Sequence, residues 1–246
     1  MKLTLIGFGF VGKAVHHVLS KHHDVKVVDP TYNDNKIEND SDGYIVCVPT
    51  PSANDGSCDM SIVKDVVTYC PDNKPILIKS TISLEGWKNL QQYNKSLSFS
   101  PEFLVANNAI KDFENQEYML YGGPDYSFWK NTLPFPLVLS SVEELIMTKY
   151  VRNCFLATKV SFFNNIHELC EKVNINYDNV ANLAAMDRRI GSSHMQVPGP
   201  DGEKGFGGAC FPKDTKAMVA TGNHYNVKMT VINDVIKAND IMRKKE

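Results

Sequence analysis

The first half of the chain alternates short apolar runs with stretches of helical periodicity, the pattern of buried strands separated by amphipathic helices. KLTLI (2–6) is followed by GFGFVG and a helical stretch to about Ser20, and DVKVVD forms a second apolar run ending in Asp29. The alternation continues through YIVCV (44–48), a helix near 60–70, ILIKS (76–80), a helix near 84–93 and SLSFS (96–100). YMLYG (118–122), a helix near 125–132 and PLVLS (136–140) complete it. This order predicts an α/β fold with a doubly wound parallel sheet. From about Ser141 to Lys172 the spacing is purely helical, giving a helix of about 45 Å at 1.5 Å per residue. That length exceeds what a small core needs and predicts a bridge between two domains or two subunits. Ser140 with Glu143, or Ser141 with Glu144, has capping-box spacing at its start. Tyr177–Met186 reads as another helix, and a loop rich in Gly and Pro, VPGPDGEKGFGG, follows. The remainder is mainly helical and finishes in the basic MRKKE. Two domains are expected, a sheet domain over 1–140 and a helical domain over 141–246.

The glycines after the first strand carry the first functional signal. Gly7 permits the tight turn, Gly9 lets the backbone approach a pyrophosphate, and Gly12 permits close helix–strand packing. The helix start around Phe10 and Val11 offers unpaired N–H groups and a positive dipole end to phosphates. Asp29, at the end of the second strand, can accept hydrogen bonds from ribose hydroxyls and would repel a 2′-phosphate, so NAD is expected rather than NADP. Strand, glycines, helix, strand and terminal Asp together predict a Rossmann-like dinucleotide-binding domain. Ligands of such sheets lie beyond the carboxyl ends of the strands, where Pro49, Thr50, Thr81 and Glu102 fall.

Composition narrows the classes. The net charge of −2 and the lack of a Lys/Arg-rich tract argue against a nucleic-acid surface. No apolar run approaches the length of a membrane span, and the N-terminus reads as a strand rather than a signal peptide. The six cysteines are scattered without C-x-x-C pairs, which suits thiols in a reducing cytoplasm. His16, His17, His22 and His23 lack the companion ligands of a metal site and read as a solvated helix end, so no metal is expected. Lys149 and Asn153, one turn apart on the long helix, share one face, whose plain reading by itself is a solvated surface. Cys210 stands between a glycine-rich run and Lys213–Asp214, where by itself a small buried residue near a turn would be the ordinary reading.

The motifs GFGFVG, VPTP (48–51), KST (79–81), SPEFL (100–104), KYVRN (149–153), RRIG (188–191) and GFGGACFPKD (205–214) occur in the order of one family. The chain resembles the UDP-glucose dehydrogenase family of NAD-dependent nucleotide-sugar dehydrogenases, over nearly its whole length. The resemblance implies oxidation of a sugar's primary alcohol to a carboxylate by two hydride transfers, UDP-glucose to UDP-glucuronate, through a thiohemiacetal and thioester on Cys210. A thiolate is chemically apt, because an aldehyde cannot lose a second hydride until a nucleophile makes it tetrahedral. By similarity, Lys149 and Asn153 face the reacting hydroxyl, Lys213 lies near the cofactor together with Thr50, and Asp214 with Thr81 positions a water. Nearby lysine charge also favours a thiolate and a developing oxyanion. Glu102 would activate the hydrolytic water; Phe103, Leu104, Phe206 and Gly207 would line the sugar pocket; Arg189 would reach substrate across a homodimer formed through the long helix.

The chain also departs from the family's pattern. Residues 30–43 form a brief polar connection where the family usually carries a longer segment, so part of the sheet edge is expected to be missing. Val105-Ala106-Asn107 stands where an acidic residue and a glycine are usual, and Ile82-Ser83 replaces a proline-containing turn. The sequence given ends at Glu246, where the family continues into a second nucleotide-binding-type domain, which leads to the expectation of a compact form with a weaker grip on the nucleotide. Two other functions stay open at this point: an NAD-binding dimerisation or regulatory module without turnover, and a two-electron hydroxyacid dehydrogenase. Cys210 counts against the latter, since a single oxidation needs no covalent thiol adduct.

Overall fold

A computed structural model describes residues 1–243; the last three residues of the basic C-terminal stretch, Lys244, Lys245 and Glu246, lie outside the described residues. The chain divides into two compact units. The first comprises Met1–Pro51 and Cys58–Lys149, the second Ser52–Ser57 and the chain from Tyr150 onward.

The first unit is built on five parallel strands: β1 (Lys2–Ile6), β2 (Asp24–Val28), β3 (Gly43–Val46), β4 (Ile76–Ile78) and β5 (Leu97–Phe99). Their spatial order is β2-β1-β3-β4-β5, so the direction of winding reverses at β1 and the crevice of a doubly wound sheet opens there. β2 forms an edge, and residues 29–42 contribute no strand beyond it. The helices are α1 (Phe10–Leu19), α2 (Ser61–Tyr69), α3 (Leu84–Leu90), α4 (Ala109–Glu114) and α5 (Tyr126–Thr132). Every residue of β3, β4 and β5 is buried, as parallel strands covered on both faces must be. Leu3 and Leu5 of β1, Ile45 and Leu77 pack in one cluster with Ala14, Val18, Phe113 and Trp129 from α1, α4 and α5. Two further short strands, β6 (Met119–Tyr121) and β7 (Leu137–Leu139), pair in parallel as a separate sheet, tied to β5 through a Phe99–Gly122 bridge. β6 and β7, which the alternation placed with the other strands, thus pair with each other.

The second unit is helical. α6 (Val142–Lys172) begins in the first unit, and the division between units falls within it. Of the two capping boxes the sequence allows, Ser141 with Glu144 forms: the Ser141 hydroxyl accepts from the Glu144 amide at 3.3 Å and the Glu144 carboxylate accepts from the Ser141 amide at 3.1 Å. α7 (Tyr177–Ala185), α8 (Phe211–His224) and α9 (Thr230–Met242) follow. Phe163, Cys170 and Tyr177 pack against Met195 of the intervening loop, and Ala157, Phe206 and Val235 form a second small core.

Candidate functional site

Three groups of candidate residues have defined geometry, two in the first unit and one in the second. At the glycine turn, Gly7 has φ +94°, and a Cβ there would lie 2.6 Å from the Cys47 carbonyl oxygen, so only glycine fits between β1 and the end of β3. A Cβ on Gly12 would run into the Gly7 carbonyl, which fixes the close approach of α1 to the turn. Nothing lies within 4 Å of a Cβ built on Gly9, and Gly9 is the N-cap of α1 without a side-chain cap. Gly9 itself is exposed, so the backbone at the start of α1 can be approached there. Asp29 closes the turn: its carboxylate accepts from the Phe8 amide at 2.6 Å and from the Thr31 amide and hydroxyl at 2.8 and 2.7 Å. The Phe8 amide, followed by the Thr31 hydroxyl, holds the Asp29 carboxyl below the usual carboxylate range, so it is an anion at neutral pH. An open glycine cradle, an uncapped helix start and a carboxylate at the end of β2 fit a dinucleotide with free ribose hydroxyls.

A second group lies at the carboxyl ends of β4 and β5. Lys149, on the part of α6 that belongs to the first unit, is only 3 % exposed, which overturns the plain reading of its face as solvated. Its ammonium donates to Glu102 Oε1 at 2.5 Å and to the Glu102 carbonyl at 2.8 Å, and lies 5.9 Å from the Phe103 ring centroid. Glu102 Oε2 accepts from the Leu104 amide at 2.8 Å. Burial raises the Glu102 carboxyl, but the charge and hydrogen bond of Lys149, the Leu104 amide and Lys79 outweigh it, leaving the group below its ordinary value. Thr50 is buried, and Thr81, which is half-buried, follows β4, its carbonyl accepting from the Cys58 thiol at 3.5 Å. Ala106 starts a short 3-10 turn (Ala106–Asn108) and is exposed.

The third group is in the second unit. Cys210 is the N-cap of α8, its carbonyl accepting from the Asp214 amide at 2.8 Å, and Pro212 in the first turn supports this helix start. Asp214 is fully buried, and Asn153 Nδ2 donates to its Oδ2 at 2.6 Å while the Lys213 ammonium pairs with its Oδ1. Buried Asn153 thus also departs from the solvated reading of its face. Of the six cysteines, only Cys210 is not buried. Burial, followed by the Asp214 charge, pushes the Cys154 thiol up to about 12, and burial does the same to Cys47 and Cys70. Arg189 is exposed and its guanidinium bonds to Asp187 within its own loop. Phe206 and Gly207, expected in the sugar pocket, belong to a loop fastened by residues that the sequence did not single out. Asn239 accepts from the Phe206 amide at 2.6 Å and donates to its carbonyl at 3.0 Å, Asn164 accepts from the Gly205 amide at 2.9 Å, and Arg243 pairs with Asp201 at 2.6 Å.

The fold and the glycine turn define a Rossmann-like nucleotide-binding protein carrying a helical domain with a half-buried cysteine. Comparison with known proteins narrows the class. Residues 31–131 match the NAD binding domain of the UDP-glucose/GDP-mannose dehydrogenase family, and residues 143–241 match the central domain of the same family. The chain belongs to the UDP-glucose/GDP-mannose dehydrogenase family, and most of the residues matched to its NAD-binding domain lie in the first unit. It is 32% identical to the UDP-glucose 6-dehydrogenase of Rickettsia typhi over 81% of the chain and 49% of that protein. It is 31% identical to the UDP-glucose 6-dehydrogenase TuaD of Bacillus subtilis over 82% of the chain and 47% of that protein. The chain thus spans about half the length of the curated relatives it matches. In fold it is similar to a UDP-glucose dehydrogenase of Pyrobaculum islandicum, with TM-score 0.82, 24% identity, and coverage of 98% of this chain and 68% of that one. No described helix is long and apolar enough to cross a membrane.

Proposed function

We propose that the chain takes part in oxidising the primary alcohol of a nucleotide sugar to a carboxylate, UDP-glucose to UDP-glucuronate, with Cys210 as the nucleophile. The observation that carries this reading is half-buried Cys210 at the head of α8, with buried Asp214 one turn on, held by Asn153 and Lys213. The names of the relatives support the sugar nucleotide. The glycine turn, with Gly7, Gly9, Phe10, Val11 and Gly12, would hold the pyrophosphate, and Asp29 the adenosine ribose. When bound, NAD supplies the electron acceptor for each of two two-electron oxidations.

The remaining chemistry belongs to the chain's own residues. After the first oxidation the Cys210 sulfur adds to the aldehyde carbon, and the carbonyl π pair becomes an alkoxide. The field at the head of α8 favours negative charge at the sulfur. The second oxidation leaves a thioester; water adds, the carbon–sulfur bond breaks, and the thiol returns as the carboxylate leaves. Lys149 stabilises the oxygen on which charge develops, and Glu102 accepts the proton of the hydrolytic water. Asp214, fixed as an acceptor by Asn153, serves proton transfer. We also assign a homodimer to the face of α6 that carries Val151, Phe155, Phe162 and Leu169, all exposed at helical spacing.

The test is to count NADH per sugar with limiting UDP-glucose and excess NAD, for the native chain and Cys210→Ser. Two NADH per sugar, lost in the variant, is the expected result. One NADH per sugar refutes the thioester route, and NAD binding without NADH from UDP-glucose, GDP-mannose or UDP-N-acetyl sugars replaces it with a binding module.

A further inference from the structure

Lys79 follows β4 directly and is 2 % exposed, yet no step above uses it. Its ammonium donates to the Ser100 carbonyl at 3.1 Å and contacts the Ser100 hydroxyl at 3.3 Å, two residues before Glu102, and lies 5.7 Å from the centroid of the Phe113 ring. The groups facing it from the surrounding elements, among the described residues, are Cys47 after β3, Ser100 and Glu102 after β5, Phe113 of α4 and Lys149 of α6. One buried carboxylate is therefore attended by two buried ammonium groups. The Lys149–Glu102 pair already has close hydrogen bonds of its own, and burying a second cation is costly, so neutralising Glu102 in the resting protein does not account for Lys79. The surplus charge has a use once Lys149 turns to a developing oxyanion. Glu102 would then be a buried carboxylate deprived of its partner, and burial alone would drive it to take up a proton.

We propose that Lys79 is a positioning residue: anchored on Ser100, it seats the Ser100–Glu102 turn and supplies the fixed counter-charge that keeps Glu102 ionised while Lys149 serves the substrate. This rests on the roles given to Lys149 and Glu102 under the proposed function. Burial lowers the Lys79 ammonium to about 8, against a raising effect of the Glu102 charge and with a lowering one from Lys149. Its charge is thus present at neutral pH and is lost as pH rises past that value. Burial keeps the facing Cys47 thiol protonated up to about 12, so it contributes no charge over this range.

Two measurements on the full chain test the proposal. The Glu102 carboxyl is followed by 13C NMR titration of glutamate-labelled protein, assigned through Glu102→Gln, in Lys149→Met and in Lys149→Met combined with Lys79→Met. The added Lys79→Met change is expected to raise the Glu102 midpoint by about a unit or more, a tenfold loss of ionisation; equal midpoints overturn the proposal. In turnover of UDP-glucose with NAD, Lys79→Met is expected to lower kcat at least about tenfold with KM little changed. It should also abolish an alkaline fall of the wild-type rate near pH 8, and Lys79→Arg should recover part of kcat. Superimposable pH profiles overturn the proposal, and Lys79→Gln repeats both measurements if Lys79→Met fails to fold. A wild type that forms no NADH refutes the oxidation reading and the catalytic half of this proposal, while the titration still decides the charge coupling.

Discussion

Replacing Asn239 tests the fastening of the thiol loop in the second unit. Its side-chain amide satisfies both backbone groups of Phe206, which is 3 % exposed, four residues ahead of Cys210. Asn239→Ala leaves a buried N–H and a buried C=O without that partner. Each such group costs about 1–3 kcal/mol, and with partial relaxation the pair is expected to cost about 2–4 kcal/mol. Asn239→Leu keeps most of the volume without the hydrogen bonds, so a similar loss there separates the polar contribution from packing. Asn164→Ala, which removes one bond to Gly205, is expected to cost about half as much. Equilibrium urea unfolding supplies the energies. The rate of Cys210 alkylation by iodoacetamide reports the loop, because the other five cysteines are buried. Loosening is expected to change that rate severalfold. A loss under about 0.5 kcal/mol for Asn239→Ala, the range of an ordinary surface change, together with an unchanged alkylation rate, would refute the reasoning.

The two glycines of the turn should separate fold from ligand. Gly7→Ala combines an unfavourable φ with contact on the Cys47 carbonyl and is expected to cost about 2 kcal/mol or more in thermal unfolding. Gly9→Ala, with open space around its Cβ, should leave Tm unchanged and weaken only NAD binding, measured by calorimetry. Asp29→Asn should narrow the preference for NAD over NADP, and in the native chain NAD affinity should fall only as pH drops below the usual carboxylate range. Phe155→Asp should convert the expected dimer to a monomer in sedimentation velocity, and a monomeric wild type would refute the assignment of that face.

Much of this arrangement was legible in the residues, and the gaps have physical causes. The glycine turn was readable because its chemistry is local: Gly7, Gly9, Gly12 and Asp29 act through backbone and strand ends fixed by nearby sequence. α4 is silent in the sequence because six residues, with Ala109, Ile110 and Phe113 as their apolar positions, are too few for a periodicity. The division of the strands into five and two is equally silent, since a three-residue strand looks the same whichever neighbour it pairs with. Asn239 and Asn164 look like ordinary polar helix residues, and their partners are backbone groups 33 and 41 residues away.

A lysine that ends an apolar strand, as Lys79 does, carries no sequence signal of burial, because its long stem lets the charge reach solvent. The fold buries it instead, and stability should register this. The unfolded chain keeps the lysine proton to its ordinary 10.5, whereas the folded chain releases it near 8. Between those values the unfolded state binds more protons, so the slope of unfolding free energy against pH is positive. This group's contribution is therefore least favourable below about pH 8 and improves by up to about 3 kcal/mol as pH climbs to 10.5. Lys79→Met should remove that rising component, so the wild type should gain urea-unfolding stability relative to the variant across the window. A constant difference from pH 7 to 10.5 would mean that the ammonium is not desolvated in the folded chain, and the case for a fixed buried counter-charge beside Glu102 would fall with it.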